Sequence, residues 1–254
     1  CLKLVDEKKN VGKIIRCPYH AWSYNLKGQL KAAPHIGGTN QHKPAGFNFS
    51  EHGLKPIRIH IWHDWIFLNF NGKAKKFEEY AKPLIKRFND IDLTKLKYVA
   101  TLDFGKINTN WKFLIENFIE PYHVQFVHKT TTNQPLKDHY IIVDGKCYGS
   151  GIDVEKEYAK NGSALSVTSR YLSLFPNFII GTYFPNQVGV YLNIPISPGV
   201  TSQKRIIYTT DSKEMTKKEI QTTKDIWWSV HKEDHEICER LQEGRSSPAS
   251  HSGG

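Results

Sequence analysis

At 254 residues, with 39% hydrophobic and 12% aromatic content, the chain has the composition of one large globular domain or two modest ones, not of a disordered segment. Apolar stretches stop short of the ~18 residues a membrane-spanning helix needs, and "CLKLVDEKKN" lacks the parts of a secretory signal. The net charge of +10 comes from 28 Lys and 7 Arg against 25 acidic residues, interleaved as in "KAKKFEEYAK", which describes solvated helix faces and argues against a nucleic-acid groove.

In chain order, the pattern begins without an initiator Met and in mid-motif, and it closes on "RSSPASHSGG", which carries no stop signal; truncation at both ends is expected. Up to about residue 72 it reads as short strands broken by turns: "KIIRCPYHAWSYNLKG", then "LKPIRIHIWHDWIFLNFNG", with Asn-Leu-Lys-Gly and Asn-Gly as turn signals. Residues 73–97 place Phe77, Tyr80, Ala81, Leu84, Ile85 and Phe88 at helical spacing and predict a linking helix. The expected division is therefore a small β domain plus linker over 1–97 and a second domain over 98–254. In the second, "YVATLDFGKI" alternates like a strand, and Asn108 to Asn110 suit the start of a helix at Trp111.

From 138 to about 210 strand patterns return and predict an antiparallel sheet. Ser212 to Gly244 is helical again, with Ile226, Trp227, Val230, Ile237 and Leu241 expected on its buried face. The four cysteines, at 1, 17, 147 and 238, form no disulfide framework, so a reducing, cytoplasmic compartment is expected.

Two constellations carry chemistry. In "NWKFLIENFIEPYHVQFVH", a helix from Trp111 puts Glu116, Glu120 and His123 on one stripe beside Asn117. On an unbroken helix His128 would lie about 140° from His123, too far round to share an ion with it. Pro121, which lacks an amide hydrogen and disfavours helix before it, breaks the geometry and lets both imidazoles aim at one point. Two neutral His and one carboxylate on a face hold Fe(II) while leaving positions open. Glu116, Glu120 or an acidic residue within "HKEDHEICERLQEG" could supply the carboxylate. The second constellation is "CPYHAW": Cys17 and His20 at a tight turn are half of a site, either for zinc or for a 2Fe-2S cluster with two His ligands. A zinc-stabilised, non-enzymatic module pairing this turn with His235 and Cys238 is the competing reading from another class.

Taken together, "CPYHAWSYNLKGQL" resembles the second half of a Rieske motif, and "NWKFLIENFIEPYHVQFVH" and "KEDHEICERLQEG" resemble the iron motif and carboxylate segment of Rieske-type non-haem iron oxygenase α subunits. The likeness spans essentially the whole chain in the expected order. It implies an α+β fold: the C-terminal part of an all-β Rieske domain, then an antiparallel catalytic sheet with flanking helices, of helix-grip type. It also implies that Cys17 and His20 ligate a 2Fe-2S cluster, that His123, His128 and Asp234 ligate mononuclear Fe(II), that Glu120 links the iron site to a cluster-ligating His of a neighbouring subunit, and that Asn117 lies near the iron. Glu116 is left a supporting or helix-packing role.

The family's upstream C-x-H is absent, since Cys1 is followed by Leu2 and Lys3, so the chain holds two of four cluster ligands and the cluster is not expected to form on it. By the same resemblance, the implied partners are dioxygen, a small substrate, and a ferredoxin or NAD(P)H-dependent reductase, in a homotrimer or α3β3 assembly. "LFPNFIIGTYFPNQVGVYLNIPISPG" and the Glu at 120 look like the choline and carnitine monooxygenase branch, with Tyr183, Phe184 and Tyr191 as candidate walls for a quaternary ammonium group. An aromatic-ring-hydroxylating dioxygenase is the alternative.

Overall fold

The computed structural model describes residues 2–129, 131, 136–153, 168–183 and 185–250. The chain divides into two compact units, up to Ala74 and from Lys75 onward. In the first, β1 (Ile14–Arg16), β2 (Ser23–Asn25) and β3 (Leu30–Ala32) form an antiparallel sheet in that order. Tyr24, Leu30 and Ala33 bury behind it against Trp22, Phe47 and Phe49. A separate hairpin pairs β4 (Arg58–Trp62) with β5 (Trp65–Asn69), turning at His63 in the left-handed region, φ 51°.

The helix expected over 73–97 is not continuous, and it belongs to the second unit. It splits into α1 (Phe77–Tyr80) and α2 (Lys82–Ile85), then 3-10 turns at Lys86–Phe88 and Leu93–Lys95. Pro83 has no amide hydrogen to donate back to α1, but it is tolerated in the first turn of a new helix. Ala81, Leu84 and Phe88 are buried within this unit, so the boundary falls at 74/75 instead of 97/98.

The second unit is built on a seven-stranded antiparallel sheet. Its strands are β6 (Lys97–Ile107), β7 (His139–Asp144), β8 (Cys147–Asp153), β9 (Thr168–Leu174), β10 (Phe178–Tyr183), β11 (Gln187–Ser197) and β12 (Val200–Thr209). They run β6-β12-β11-β10-β9-β8-β7 across the sheet. Successive strands from β7 to β12 are hairpin neighbours, so the order follows the chain; β6, the first in sequence, closes the far edge beside β12. One face carries α3 (Trp111–Ile119) and α5 (Lys217–Arg245), with α4 (Val124–Val127) one short turn beyond α3.

Capping sets where these helices start. The Asn110 side chain accepts from Lys112 N, and Thr216 with Glu219 forms a reciprocal capping box on α5. Four bonds then fix α3 against α5 and the sheet: Asn108 N donates to Glu239 Oε1 (2.8 Å), Asn110 N to Gln242 Oε1 (2.9 Å), Thr109 Oγ1 to the Cys238 carbonyl (2.9 Å), and Thr201 Oγ1 to the Thr109 carbonyl (2.8 Å).

The buried face of α5 agrees with the expected one only in part. Trp227, Val230 and Ile237 are half-buried as expected, whereas Ile226 and Leu241 are 52% and 48% exposed and Thr223, His231 and Cys238 are the buried residues. The stripe that meets the sheet is mixed because β6 and β12 beneath it offer both apolar Phe104 and Ile107 and polar Gln203 and Arg205. Gln203 Oε1 lies 2.7 Å from His235 Nε2, and buried Arg205 stands beneath His231.

Candidate metal centre and its cavity

At the end of α3 the residue before Pro121, Glu120, is extended (φ −101°, ψ 137°), as the proline ring requires. The chain turns, His123 caps the start of α4 and His128 its end, and the two rings come to 5.2 Å between centroids. Asp234 arrives from α5: its Oδ1 lies 3.0 Å from His128 Nε2 and 3.6 Å from His123 Nε2. One ligand atom from each of the three residues falls within 4.8 Å of the others.

The opposite edge of each imidazole is engaged by a carboxylate. His123 Nδ1 is 2.5 Å from Glu120 Oε1, and Glu120 Oε2 also accepts from the amides of Tyr122 (2.5 Å) and His123 (3.2 Å). His128 Nδ1 is 2.7 Å from Glu233 Oε2, which takes a second hydrogen bond from Thr131 Oγ1 at 2.7 Å. A ring that gives its Nδ1 hydrogen to a carboxylate presents a bare lone pair at Nε2.

Both Nε2 atoms therefore face the same oxygen, and Asp234 Oδ1, though buried and 3.0 Å from one of them, has no hydrogen bond of proper geometry among the described residues. Three converging donors with one orphaned anionic oxygen are what a divalent cation relieves, and two His plus one carboxylate with open positions fit non-haem ferrous iron.

The electrostatics agree. Burial pushes the Glu120 carboxyl up, but the His123 ring and the two amides outweigh it and hold the group below its usual value. Burial likewise opposes charge on His128, yet Asp234 and then Glu233 prevail and raise it, so a proton and a cation compete for the same nitrogen.

The centre opens on a cavity of about 170 Å³ lined by Asn117, Phe118, Tyr171, Tyr183, Tyr191 and Trp227 among others. Asn117, Glu120, Tyr183 and Tyr191 thus join the triad at one site; Glu116, exposed on α3, does not line it, and Phe184 lies outside the described residues. Sequence reasoning missed Glu233, His139 and Arg205. Glu233 adjoins Asp234, and its signal was a second acidic residue in the same motif. His139, whose buried ring nitrogens have no hydrogen-bond partner among the described residues, lines the cavity from β7.

In the first unit, Cys17 and His20 lie on the turn between β1 and β2, closed by Cys17 N to the Trp22 carbonyl (2.8 Å) and Ala21 N to the Cys17 carbonyl (3.0 Å). The turn carries a thiol and an imidazole three positions apart; Cys1 lies outside the described residues. Of the residues in the alternative zinc grouping, His235 is bonded to Gln203 and Cys238 Sγ faces the Phe113 carbonyl at 3.8 Å, so both are engaged within the second unit. Among the described residues the grouping able to hold an ion is His123, His128 and Asp234.

Fold and site together define a helix-flanked antiparallel sheet carrying a two-histidine, one-carboxylate centre. Residues 85–254 match the family "Ring hydroxylating alpha subunit (catalytic domain)" and residues 2–43 match "Rieske [2Fe-2S] domain"; the chain belongs to the ring-hydroxylating α-subunit family. The two matches imply a Rieske cluster and a mononuclear iron, with the Rieske domain covered only in part.

The chain is 31% identical over 135 residues to the large oxygenase component of salicylate 5-hydroxylase from Ralstonia sp, covering 50% of this chain and 32% of that protein. It is 25% identical to the chloroplastic choline monooxygenase of Atriplex hortensis, over 93% of this chain and 54% of that one. A solved structure of the quaternary ammonium Rieske monooxygenase CntA with L-carnitine superposes with a TM-score of 0.73 at 20% identity, covering 97% and 66% of the two chains. The chain thus spans from a third to a little over half of the two curated relatives. No helix among the described residues is long and apolar enough to cross a membrane.

Proposed function

We propose that the chain is the catalytic part of a terminal oxygenase that hydroxylates a small organic substrate at a ferrous ion held by His123, His128 and Asp234. The observation that carries this is the convergence of three lone-pair donors, two imidazole nitrogens and a buried Asp234 oxygen without a hydrogen bond among the described residues, each imidazole being locked from behind. Iron, when bound, supplies dioxygen activation. The protein's share is to orient the two rings, hold the substrate in the adjoining cavity and exclude water from it.

Cys17 and His20 are assigned to one half of the Rieske cluster, Asn117 to a position beside the iron, and Glu120 to coupling between the two centres. The Glu120 side chain is 41% exposed, which leaves room for a histidine of a neighbouring subunit on its far side. The reading carries with it a domain division into a partial Rieske domain and a catalytic domain, a ferredoxin or reductase as electron donor, a homotrimer or α3β3 assembly, and a cytoplasmic location.

A quaternary ammonium substrate is supported by the choline monooxygenase likeness over 93% of the chain; an aromatic substrate is supported by the 31% identity to a salicylate hydroxylase over half of it. The test is anaerobic Fe(II) loading followed by metal analysis, with oxygen uptake across quaternary amines and aromatic acids measured on the full-length protein supplied with an electron donor. One iron per chain, lost in Asp234→Ala, and substrate-dependent uptake are expected. Zinc without iron, or iron retained after Asp234→Ala, refutes it.

A further inference from the structure

Behind the cavity wall lies a charge that the metal centre does not use. Arg205, on β12, is fully buried, and its Nε and Nη2 have no hydrogen-bond partner among the described residues. Its polar neighbours are the Tyr191 hydroxyl, which accepts from Nη1, and His231 Nε2 at 3.3 Å; neither is an anion. Ring faces hold the guanidinium instead: its Cζ stands 3.4 Å from the Trp227 centroid, 4.7 Å from Tyr183 and 5.0 Å from Tyr191. Gly189 makes the space, since a Cβ there would lie 2.8 Å from Nη2. Burying an unpaired guanidinium costs more than such cation–π contacts return, so the site is built to act on something outside itself.

Hydrogen-bond direction carries the charge into the cavity. A guanidinium only donates, so the Tyr191 oxygen accepts. The Tyr191 proton then goes to the Tyr183 oxygen, 2.9 Å away, and the Tyr183 proton is left to point at whatever fills the cavity that Tyr183 lines. A phenol polarised by a cation through a chain of this kind is a strengthened donor and suits an anionic acceptor. A quaternary ammonium group has nothing to accept with, and it would meet rings whose faces already carry a cation.

We propose that the substrate is an organic carboxylate whose carboxylate group seats on the Tyr183 hydroxyl, backed through Tyr191 by Arg205; this rests on reading the cavity as the substrate pocket. The cavity, about 170 Å³, leaves room for one ring-sized body, since about 150 Å³ accommodates benzene.

Calorimetric binding to the full chain, without added metal and without turnover, tests this. Benzoate is expected to bind about tenfold tighter than its neutral isostere benzamide and tighter than choline. Tyr183→Phe, which removes one hydroxyl and keeps the ring, abolishes that advantage while the melting temperature holds; Arg205→Met does the same if it folds. Equal affinity for benzoate and benzamide, tighter binding of choline, no benzoate binding, or an advantage that survives Tyr183→Phe overturns the proposal. So does a benzoate signal that appears only after Zn(II) is added, because the carboxylate would then sit on the ion. Metal stoichiometry is measured separately: a chain that binds no iron yet prefers benzoate defeats the oxygenase reading alone.

Discussion

Glu233→Ala probes the part of the centre that sequence reasoning did not reach. Glu233 accepts from His128 Nδ1 and Thr131 Oγ1, each at 2.7 Å, and so fixes both the tautomer and the tilt of a ring that is 5% exposed. Loss of a carboxylate behind a metal-binding imidazole lowers affinity by about 10- to 100-fold, or about 1.4–2.7 kcal/mol. The Glu233 side chain is 28% exposed, so water replaces part of the bond, and the lower end, about tenfold, is expected. Glu233→Gln, whose amide oxygen can still accept from Nδ1, loses less. The assay is Zn(II) competition against a chromophoric chelator at neutral pH, with one bound ion per chain as the wild-type reference. An alanine variant within about twofold of wild type would show that His128 is held by packing alone and refute the reasoning.

Glu120→Gln is expected to retain the ion while product formed per electron consumed collapses; a normal product yield per electron defeats the coupling role. Gly189→Ala would press a methyl to 3.0 Å from the Arg205 Cζ, held against Trp227, and lose about 1–3 kcal/mol in denaturant melts. Combined with Arg205→Met the cost should shrink, and strict additivity sinks the clash argument. His231 and His235 are both held below the ordinary imidazole value, burial being the first cause in each. The folded state refuses protons that the unfolded chain takes up below about pH 6.5. Their contribution is therefore complete above that pH and is lost as pH falls toward the folded-state values, by about 1.4 kcal/mol per pH unit for each group. Urea melts between about pH 7 and 5 should show a slope shallower by about one group's worth in His231→Gln, and an unchanged slope refutes the assignment.

What could be read from the chain beforehand followed from local chemistry. Pro121 announced the break that lets His123 and His128 converge, Asn110 announced the start of α3, and alternating apolar residues announced the sheet. The single helix expected over 73–97 failed at Pro83, a breaker that apolar spacing alone had overridden. The lower face of α5 was misjudged in part, at Ile226 and Leu241, for a deeper reason. Periodicity assumes that a buried stripe is greasy, but this one meets Gln203 and Arg205 on β12, and nothing within the helix's own sequence records what lies beneath it. Glu233 and Arg205 escaped for the same cause: their partners stand 105 and 14 or more residues away, on other elements.

A single turn of α5 contributes Asp234 to one edge of the His128 ring and Glu233 to the other. An ion captured there would rivet the longest helix to the rest of its unit. Peeling α5 away would mean dismantling the coordination sphere, and loading would show as slower protease cleavage at a distance, around Thr223, before any chemistry took place.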